Sequence, residues 1–406
     1  MRFWLRLGFI SFGGPAGQIA IMHRELVDRR GWIDERRFTD ALNFCMLLPG
    51  PEALQLAIYL GWRLHGMRGG LIAGLGFIVP SIVLLLGLSF LYARFGDLPA
   101  AAGLLLGLRA AVIALVLQAL LRIGRRALKT PLHVALAAGA FVALEFLGVP
   151  FPLIVLAAGA VGAGAAWRAP RAMTGREGAL PAVNSRRTVL VGALLWAVPF
   201  VAVAAALGPG SLWSRLYLYF TQAALVTFGG AYAVLGYVTQ HLVQVQGWVT
   251  AQQSVDGLAL AETTPGPLVI VLQFMGFMAG WNQPAPLTPA ASAILAALLA
   301  SWATFLPSFL FIFIGAPYVE RITREPRLAG ALAAITAAVV GIIATLVFLL
   351  GTVVLLPRGY DAGPSWAALA IAVGAWFLLR SPRFDLLWVL AAAAVAGLGA
   401  QLAGLA

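Results

Sequence analysis

The chain reads as a succession of apolar stretches separated by short polar punctuation. Apolar runs cover residues 71–93, 101–121, 132–147 and 150–166, then 188–207, then 213–238, 289–318, 328–350, 366–379 and 384–405. Two further runs, 38–64 and 254–281, are interrupted by Pro49-Gly50-Pro51 and Pro265-Gly266-Pro267. A helix needs about 20 predominantly apolar residues to cross a bilayer, and most of these runs approach or exceed that length. With a first helix opening the chain, the pattern predicts about 13 membrane segments, six on each side of one connector. The expected fold is an all-α polytopic membrane protein. Residues 1–10 are too short to cross alone, so the first helix is expected to use Gly13-Gly14 as a kink within a longer element, or to begin before Met1. No small-residue cleavage site of a signal peptide is apparent there.

An internal repeat organises these segments. Phe12-Gly13-Gly14, Gly31-Trp32 and Pro49-Gly50-Pro51 recur as Phe228-Gly229-Gly230, Gly247-Trp248 and Pro265-Gly266-Pro267 at one offset of 216 (228−12, 247−31 and 265−49). Asp40 and Asp256 keep the same register. Further along the offset becomes 227: Pro80-Ser81 matches Pro307-Ser308, and Ala110-Ala111-Val112 matches Ala337-Ala338-Val339. Three separate motifs in one ungapped register are hard to attribute to composition. The chain is therefore divided into a first repeat (1–166), a linker (167–187), a connector helix (188–207) and a second repeat (208–406).

Composition agrees with the membrane assignment. Hydrophobic residues make up 61% and charged residues 10%, with mean hydropathy +0.93, against roughly 45–50% and about 25% in soluble domains. The net charge of +12 does not point to nucleic acid, because the arginines lie in short loops between apolar segments, as cytoplasmic loops require. The single Cys45 excludes an internal disulfide and a cysteine metal cluster, and His23, His65, His133 and His241 show no ligand spacing. No cofactor and no metal are expected. A Gly-x-x-x-x-Gly-Lys-Ser/Thr loop is missing, which excludes an ATP-driven pump, and no cluster of carboxylates at membrane depth suggests an enzyme.

Strict alternation from the basic linker places 122–129, 321–327 and 380–383 inside and the uncharged 282–288 loop outside, with the N-terminus inside and the C-terminus outside. One loop conflicts: residues 23–37, with five arginines against four acidic residues, would fall outside, which either amphipathic pairing within the loop or a re-entrant Pro49 element in place of a spanning one would explain. One connector between two six-segment copies also sets them in opposite orientations, the inverted arrangement typical of secondary transporters, whose site lies where the repeats meet.

The repeated breaks carry the chemistry. A residue before proline is pushed out of the α region, and proline is tolerated at the first position of a helix. One half-helix should therefore stop before Pro49 and another start at Pro51, leaving free amides near Glu52 and Ala53. Such a terminus attracts anions, and unpaired backbone at membrane depth is tolerated where it lines protein or a cavity. Two such breaks facing each other would suit a tetrahedral oxyanion. A plain proline kink is the alternative for an isolated break; the duplication favours a site.

The combination of Phe12-Gly13-Gly14-Pro15, Glu25-Leu26-Val27 before Gly31-Trp32, Leu48-Pro49-Gly50-Pro51, Tyr59-Leu60-Gly61, Pro80-Ser81 and Glu262-Thr263-Thr264-Pro265-Gly266-Pro267 resembles the chromate ion transporter family, in its long form with two fused homologous domains. The resemblance implies export of chromate from the cytoplasm of a bacterium across its inner membrane, driven by the proton motive force and conferring chromate resistance, with sulfate as the natural look-alike. Transport of sulfate or another oxyanion, or an anion channel of the same architecture, stays open, as does a homodimer. Expected partners are the anion and the lipid bilayer. The candidate anion-binding residues are Gly13, Gly14, Pro49, Gly50, Pro51, Gly229, Gly230, Pro265, Gly266 and Pro267. Arg109, an ionisable group inside an apolar segment, joins them as counter-charge, with snorkelling to the interface as the alternative. Glu52 and Glu262, flanking the breaks, are the candidate proton carriers. Asp40 and Asp256 read as helix-start caps or partners of loop arginines, and Trp32 and Trp248 as interface anchors.

Overall fold

The computed structural model describes residues 1–166, 185–228, 230–316, 325–359, 361, 363–381 and 383–405. Most of the linker (167–184), residues 317–324 and Gly229 lie outside the described residues. The rest is helical: α1 (Arg2–Ile10), α2 (Gly14–His23), α3 (Glu35–Leu47), α4 (Glu52–Phe95), α5 (Pro99–Ala127), α6 (Pro131–Glu145) and α7 (Phe151–Ala165) in the first repeat. The connector is α8 (Ser185–Leu207). The second repeat holds α9 (Leu212–Val226), α10 (Ala231–Thr239), α11 (Ala251–Glu262), α12 (Val271–Asn282), α13 (Pro289–Gly315), α14 (Pro326–Leu350), α15 (Trp366–Arg380) and α16 (Leu386–Leu402).

Every element of the first repeat has its counterpart in the second. The short π-helices Arg24–Arg29 and Gln240–Val245 continue α2 and α10 at the offset of 216 between their starts, and α3 and α11 begin at the same offset. α5 and α14 both open on a proline, Pro99 and Pro326, where the missing amide costs nothing. Side-chain caps set several starts: Asp34 accepts from the Arg37 amide, and Thr250 and Gln253 form a reciprocal capping box.

The half-helices do not run on through the breaks; they fold back. α3 is 13 residues long, about 20 Å. Beyond Pro51 the chain returns: the rings of Phe44 and Tyr59 lie 6.1 Å apart. α4 is itself two helices, bent at His65 and Gly66 (φ +62°), so that Gly61 and Gly69 pack backbone on backbone. α1 and α2 likewise fold back at Gly13-Gly14, which brings the Arg30 guanidinium 5.5 Å from the Phe3 ring centre. Each repeat therefore opens with two helical hairpins whose tips are the Phe-Gly-Gly and Pro-Gly-Pro motifs. The expected single broken segment over 38–64, and the kinked first helix, are replaced by these hairpins. Periodicity could not show the reversal, because a half-helix going out and one coming back have the same composition.

Five helical stretches are long and apolar enough to cross a membrane: Glu52–Phe95, Pro99–Ala127, Arg186–Leu207, Pro289–Gly315 and Pro326–Leu355. The chain is a polytopic membrane protein. On α8, Val189, Leu190, Leu194, Val198 and Val201 are exposed, which suits a helix bathed in lipid. Close helix crossings use small residues, as membrane bundles do. Gly107 of α5 abuts the Ala393 carbonyl of α16, and Gly162 of α7 meets Gly330 of α14. Gly107→Leu should lower the thermal midpoint in detergent by the equivalent of about 1–3 kcal/mol. Gly87→Ala, where an added Cβ meets nothing within 4 Å, should leave that midpoint unchanged.

Candidate functional site

The backbone at both breaks follows from its prolines and glycines. Leu48 is extended (ψ 146°) before Pro49, and Pro51 and Pro267 are extended at ψ 107° and 125°. Gly50 and Gly266 take φ of +120° and +110°, a region that side chains other than glycine's rarely enter. Gly13, Gly14 and Gly230 also have positive φ, at +85°, +73° and +92°.

The breaks meet crosswise. The Gly50 amide donates to the Thr227 carbonyl at 2.7 Å, and the Gly266 amide donates to the Ser11 carbonyl at 3.0 Å. Ser11 and Thr227 are repeat-related (227−11 = 216) and each stands directly before a Phe-Gly-Gly. The Pro-Gly-Pro tip of each repeat is thus joined to the Phe-Gly-Gly tip of the other. The Pro-Ser motifs are drawn into the same contacts: Ser81 Oγ abuts Gly266, and Ser308 Oγ lies 2.9 Å from where a Cβ on Gly50 would stand.

Two buried glutamines complete the tips. Gln18 Nε2 donates to the Gly266 carbonyl at 2.6 Å and to the Ser11 carbonyl at 3.3 Å. Gln55 Nε2 donates to the Pro49 carbonyl at 2.7 Å. Among the described residues, Ser11 Oγ, Ser81 Oγ, Gln18 Oε1, Gln55 Oε1 and Thr304 Oγ1 are buried without a hydrogen-bond partner. Buried polar atoms in proteins are nearly always paired; His133 Nδ1 is a further orphan elsewhere, but the four on Ser11, Gln18, Gln55 and Ser81 all lie against a Pro-Gly-Pro tip and mark these tips as unusual.

The carboxylates are placed differently in the two repeats. Tyr232 donates its hydroxyl to Glu262 Oε1 at 2.7 Å, and Glu262 is buried, tying α10 to the end of α11. Glu52 opens the return helix directly after Pro51 and is half-buried. Met46 and Leu268 occupy the repeat-related positions, so neither carboxylate is duplicated.

Arg109 is paired across the repeat boundary. Its guanidinium grips the Asp256 carboxylate through Nε to Oδ1 and through Nη2 to Oδ2 at 2.9 Å, while Tyr92 donates to Oδ2 at 2.7 Å. Gln252, with its amide oxygen turned to the guanidinium, accepts from Nη2 at 2.8 Å. Arg109 is on α5 of the first repeat and Asp256 on α11 of the second, so the pair crosses the repeat boundary. Asp256, expected as a helix-start cap or partner of a loop arginine, is instead wholly buried and paired within the bundle; Asp40 is exposed. Trp248 is buried beneath Arg215, whereas Trp32 is exposed with Arg30 stacked on it. Sequence reading missed Gln18, Gln55, Tyr92, Tyr232, Ser11 and Thr227. For the last two a signal existed, a hydroxyl residue in register before each Phe-Gly-Gly.

Paired Pro-Gly-Pro breaks, with Gly50 and Gly266 buried in a bundle whose described elements are all helical, define a membrane protein built on two repeats. The chain belongs to the chromate transporter family, whose description matches residues 1–163 and 214–398; this is a family of transporters and not of enzymes. A chromate transport protein of Pseudomonas aeruginosa is 35% identical over 349 residues, covering 84% of this chain and 77% of that protein. A chromate transport protein of Cupriavidus metallidurans is 29% identical over 401 residues, 98% and 92% of the two chains. A probable chromate transport protein of Synechococcus elongatus is 28% identical over 402 residues, 97% and 93% of the two. No solved structure matches the chain.

Asp256→Ala strands the Arg109 guanidinium and should cost about 3–5 kcal/mol, read as a fall in thermal midpoint. The double variant Arg109→Met with Asp256→Leu should lose markedly less. Equal losses would show that the ion pair is not what joins α5 to α11.

Proposed function

We propose that this protein exports chromate across the bacterial inner membrane, with the anion held between the two repeats at the tips of the broken helices. The observation that carries the reading is the crosswise pairing of Gly50 with Thr227 and Gly266 with Ser11. It joins the Pro-Gly-Pro of each repeat to the Phe-Gly-Gly region of the other, which supports a site formed by Gly13, Gly14, Pro49, Gly50 and Pro51 with Gly230, Pro265, Gly266 and Pro267, and with Gly229 beside them in sequence. The names of the relatives supply the anion; the helix N-termini that follow Pro51 and Pro267 suit any anion of that shape.

The fold-back of the hairpins supports inverted repeats and removes the charge conflict of the sequence. If both hairpins of a repeat enter and leave on one face, loop 23–37 lies on the same face as 122–129, the linker and 380–383. All the strongly basic loops then share the cytoplasmic side. The crossing helices become the second part of α4 with α5, α6 and α7, then α8, then α13 to α16. Four crossings per repeat and one connector set the second repeat upside down relative to the first, with the N-terminus inside and the C-terminus outside.

A divalent anion leaving a cell with a negative interior gains about 2.3 kcal/mol per charge per 100 mV, so the membrane potential alone favours efflux. Proton coupling is assigned to Glu262, with Glu52 as the second candidate. Arg109 supports the anion through Asp256: its charge is matched there, and it holds α11, the helix that leads to Glu262 and Pro265.

Everted vesicles should accumulate labelled chromate when energised. Gly266→Leu and Gly50→Leu should abolish uptake with the protein still present in the membrane, and Glu262→Gln should flatten its pH dependence. Uptake by both glycine variants at the wild-type rate would remove the tips from the site. Single cysteines at Arg29 and Pro284 should label from the cytoplasmic and the external side respectively. Labelling of both from one side would sink the inverted arrangement.

A further inference from the structure

The two repeats are built alike but are not packed alike. α11 of the second repeat lies along α5 of the first, and α10 lies along α14, where a Cβ on Gly236 would stand 3.4 Å from the Ile342 carbonyl. The repeat relation turns these pairs into α3 with α14 and α2 with α5. Among the described residues no comparable packing joins either of those pairs. Burial follows the same division. Thr39, Asp40, Asn43 and Met46, spaced along one face of α3, are exposed, whereas their mates at the offset of 216, Val255, Asp256, Ala259 and Glu262, are buried. Met46 is 52% exposed and Glu262 5%. On α2, Ala20 is exposed, and its mate Gly236 is buried.

The unpacked face of α3 is polar at Thr39, Asp40 and Asn43 and runs up to Met46, three residues before Pro49. Polar and ionisable groups at membrane depth belong beside water, so this face lines an aqueous groove that leads from the cytoplasmic loop 23–37 to the joined tips. The packed seam lies at the opposite end of the molecule. α11 starts next to the 282–288 loop, because Asn282 donates to the Trp248 carbonyl and to Gln253. Tyr92 and Arg109 grip Asp256 in that seam. The corresponding pair on the groove side is Asp40 with Thr336, which lacks a cation.

We propose that this conformation is the cytoplasm-facing state of an alternating pair: α11 on α5 shuts the external side, Tyr92, Arg109 and Asp256 latch it, and the bare face of α3 closes on α14 when that seam parts. Rocking one inverted repeat against the other exchanges two such arrangements about a fixed site. The repeat relation names the occupant of the bare face, since α11 already shows how its twin docks. A latch on one side alone makes the cytoplasm-facing state the resting one, and an anion in the cytoplasm reaches the tips first. This inference rests on the inverted arrangement proposed above, which labelling at Arg29 and Pro284 tests by itself.

Single cysteines at Thr39 and at its mate Val255, each in a Cys45→Ala chain, read the two sides with a membrane-impermeant maleimide. Thr39→Cys should react in everted vesicles, and Val255→Cys should be protected in right-side-out vesicles. Tyr92→Phe removes one hydrogen bond from the latch and should raise the external reactivity of Val255→Cys about tenfold. Asp256→Asn removes the charge that Arg109 grips. Val255→Cys should then react faster still, while Thr39→Cys loses roughly half of its reactivity or more as the population shifts. A fold that is merely loosened raises both. The inference is overturned if Val255→Cys reacts as fast as Thr39→Cys without a latch substitution, if it stays protected with Tyr92→Phe, or if both cysteines gain together. Labelling of Arg29 and Pro284 from one side removes the inverted arrangement and this inference with it. Labelling from opposite sides, combined with any of those three results, removes the latch and keeps the arrangement.

Discussion

A backbone amide or carbonyl brought into hydrocarbon without a partner costs several kcal/mol, and the rest of this structure depends on how that cost is met. Each repeat breaks its chain twice, at Phe-Gly-Gly and at Pro-Gly-Pro, and proline and positive-φ glycine rule out an ordinary helical solution at both. Neither repeat pairs its own Pro-Gly-Pro amide. Gly50 takes its acceptor from Thr227 and Gly266 takes its acceptor from Ser11, so each copy completes the other. Fusion in one chain guarantees the partner. The ion pair of Arg109 with Asp256 crosses the same boundary, and the packing of Phe309 and Phe313 against Gly74 and Gly70 seals it.

Much of this was legible in the sequence. The offset of 216 named both pairs of tips, the later offset of 227 brought the Pro-Ser motifs into register, and composition named the class. What stayed hidden was direction and partnership. Whether the chain at Pro49-Gly50-Pro51 continues or reverses depends on what packs beside it, and here Tyr59 returning to Phe44 decides for reversal. Charge held the one clue, since loop 23–37 is too basic for the side that strict alternation assigns to it. Arg109 looked like a counter-charge because its acidic partner lies 147 residues away, and an isolated sequence position carries no record of such a neighbour. Gln18 and Gln55 were invisible for a different reason: neither is repeated, and a repeat-based search passes over them.

The departures from symmetry are as informative as the symmetry. The scaffold positions match between the repeats: the glycines, the prolines, the Ser11 and Thr227 carbonyls, and Ser81 with Ser308. Most of the groups that can exchange a proton or match a charge do not; Asp256, kept as Asp40, is the exception. Glu262 faces Met46, Glu52 faces Leu268 and Arg109 faces Thr336 across the repeat relation. Each tip has one glutamine, but Gln18 comes from α2 and Gln55 from the return helix of the Pro-Gly-Pro hairpin, with valine at both repeat-related positions. A duplicated frame carrying unduplicated polar groups has two mechanically similar tips with different chemistry.

That combination bears on how an anion could pass. On the transport reading the amide of each Pro-Gly-Pro glycine faces a choice of acceptor, the carbonyl of the opposite repeat or an oxyanion. A single backbone hydrogen bond contributes only about 0.5–1.5 kcal/mol net, while one donated to a charged acceptor is worth about 1.5–3 kcal/mol. The exchange is therefore favourable in the presence of the anion and reverses once it has left. Separation of a tip from its opposite repeat then costs little when the anion is there to replace the lost bond, and the tip closes again on the carbonyl when it is not. A rigid, permanently open pore would have to leave those amides to water; the crosswise bonds give them a second partner instead. On that reading they favour a closed empty state.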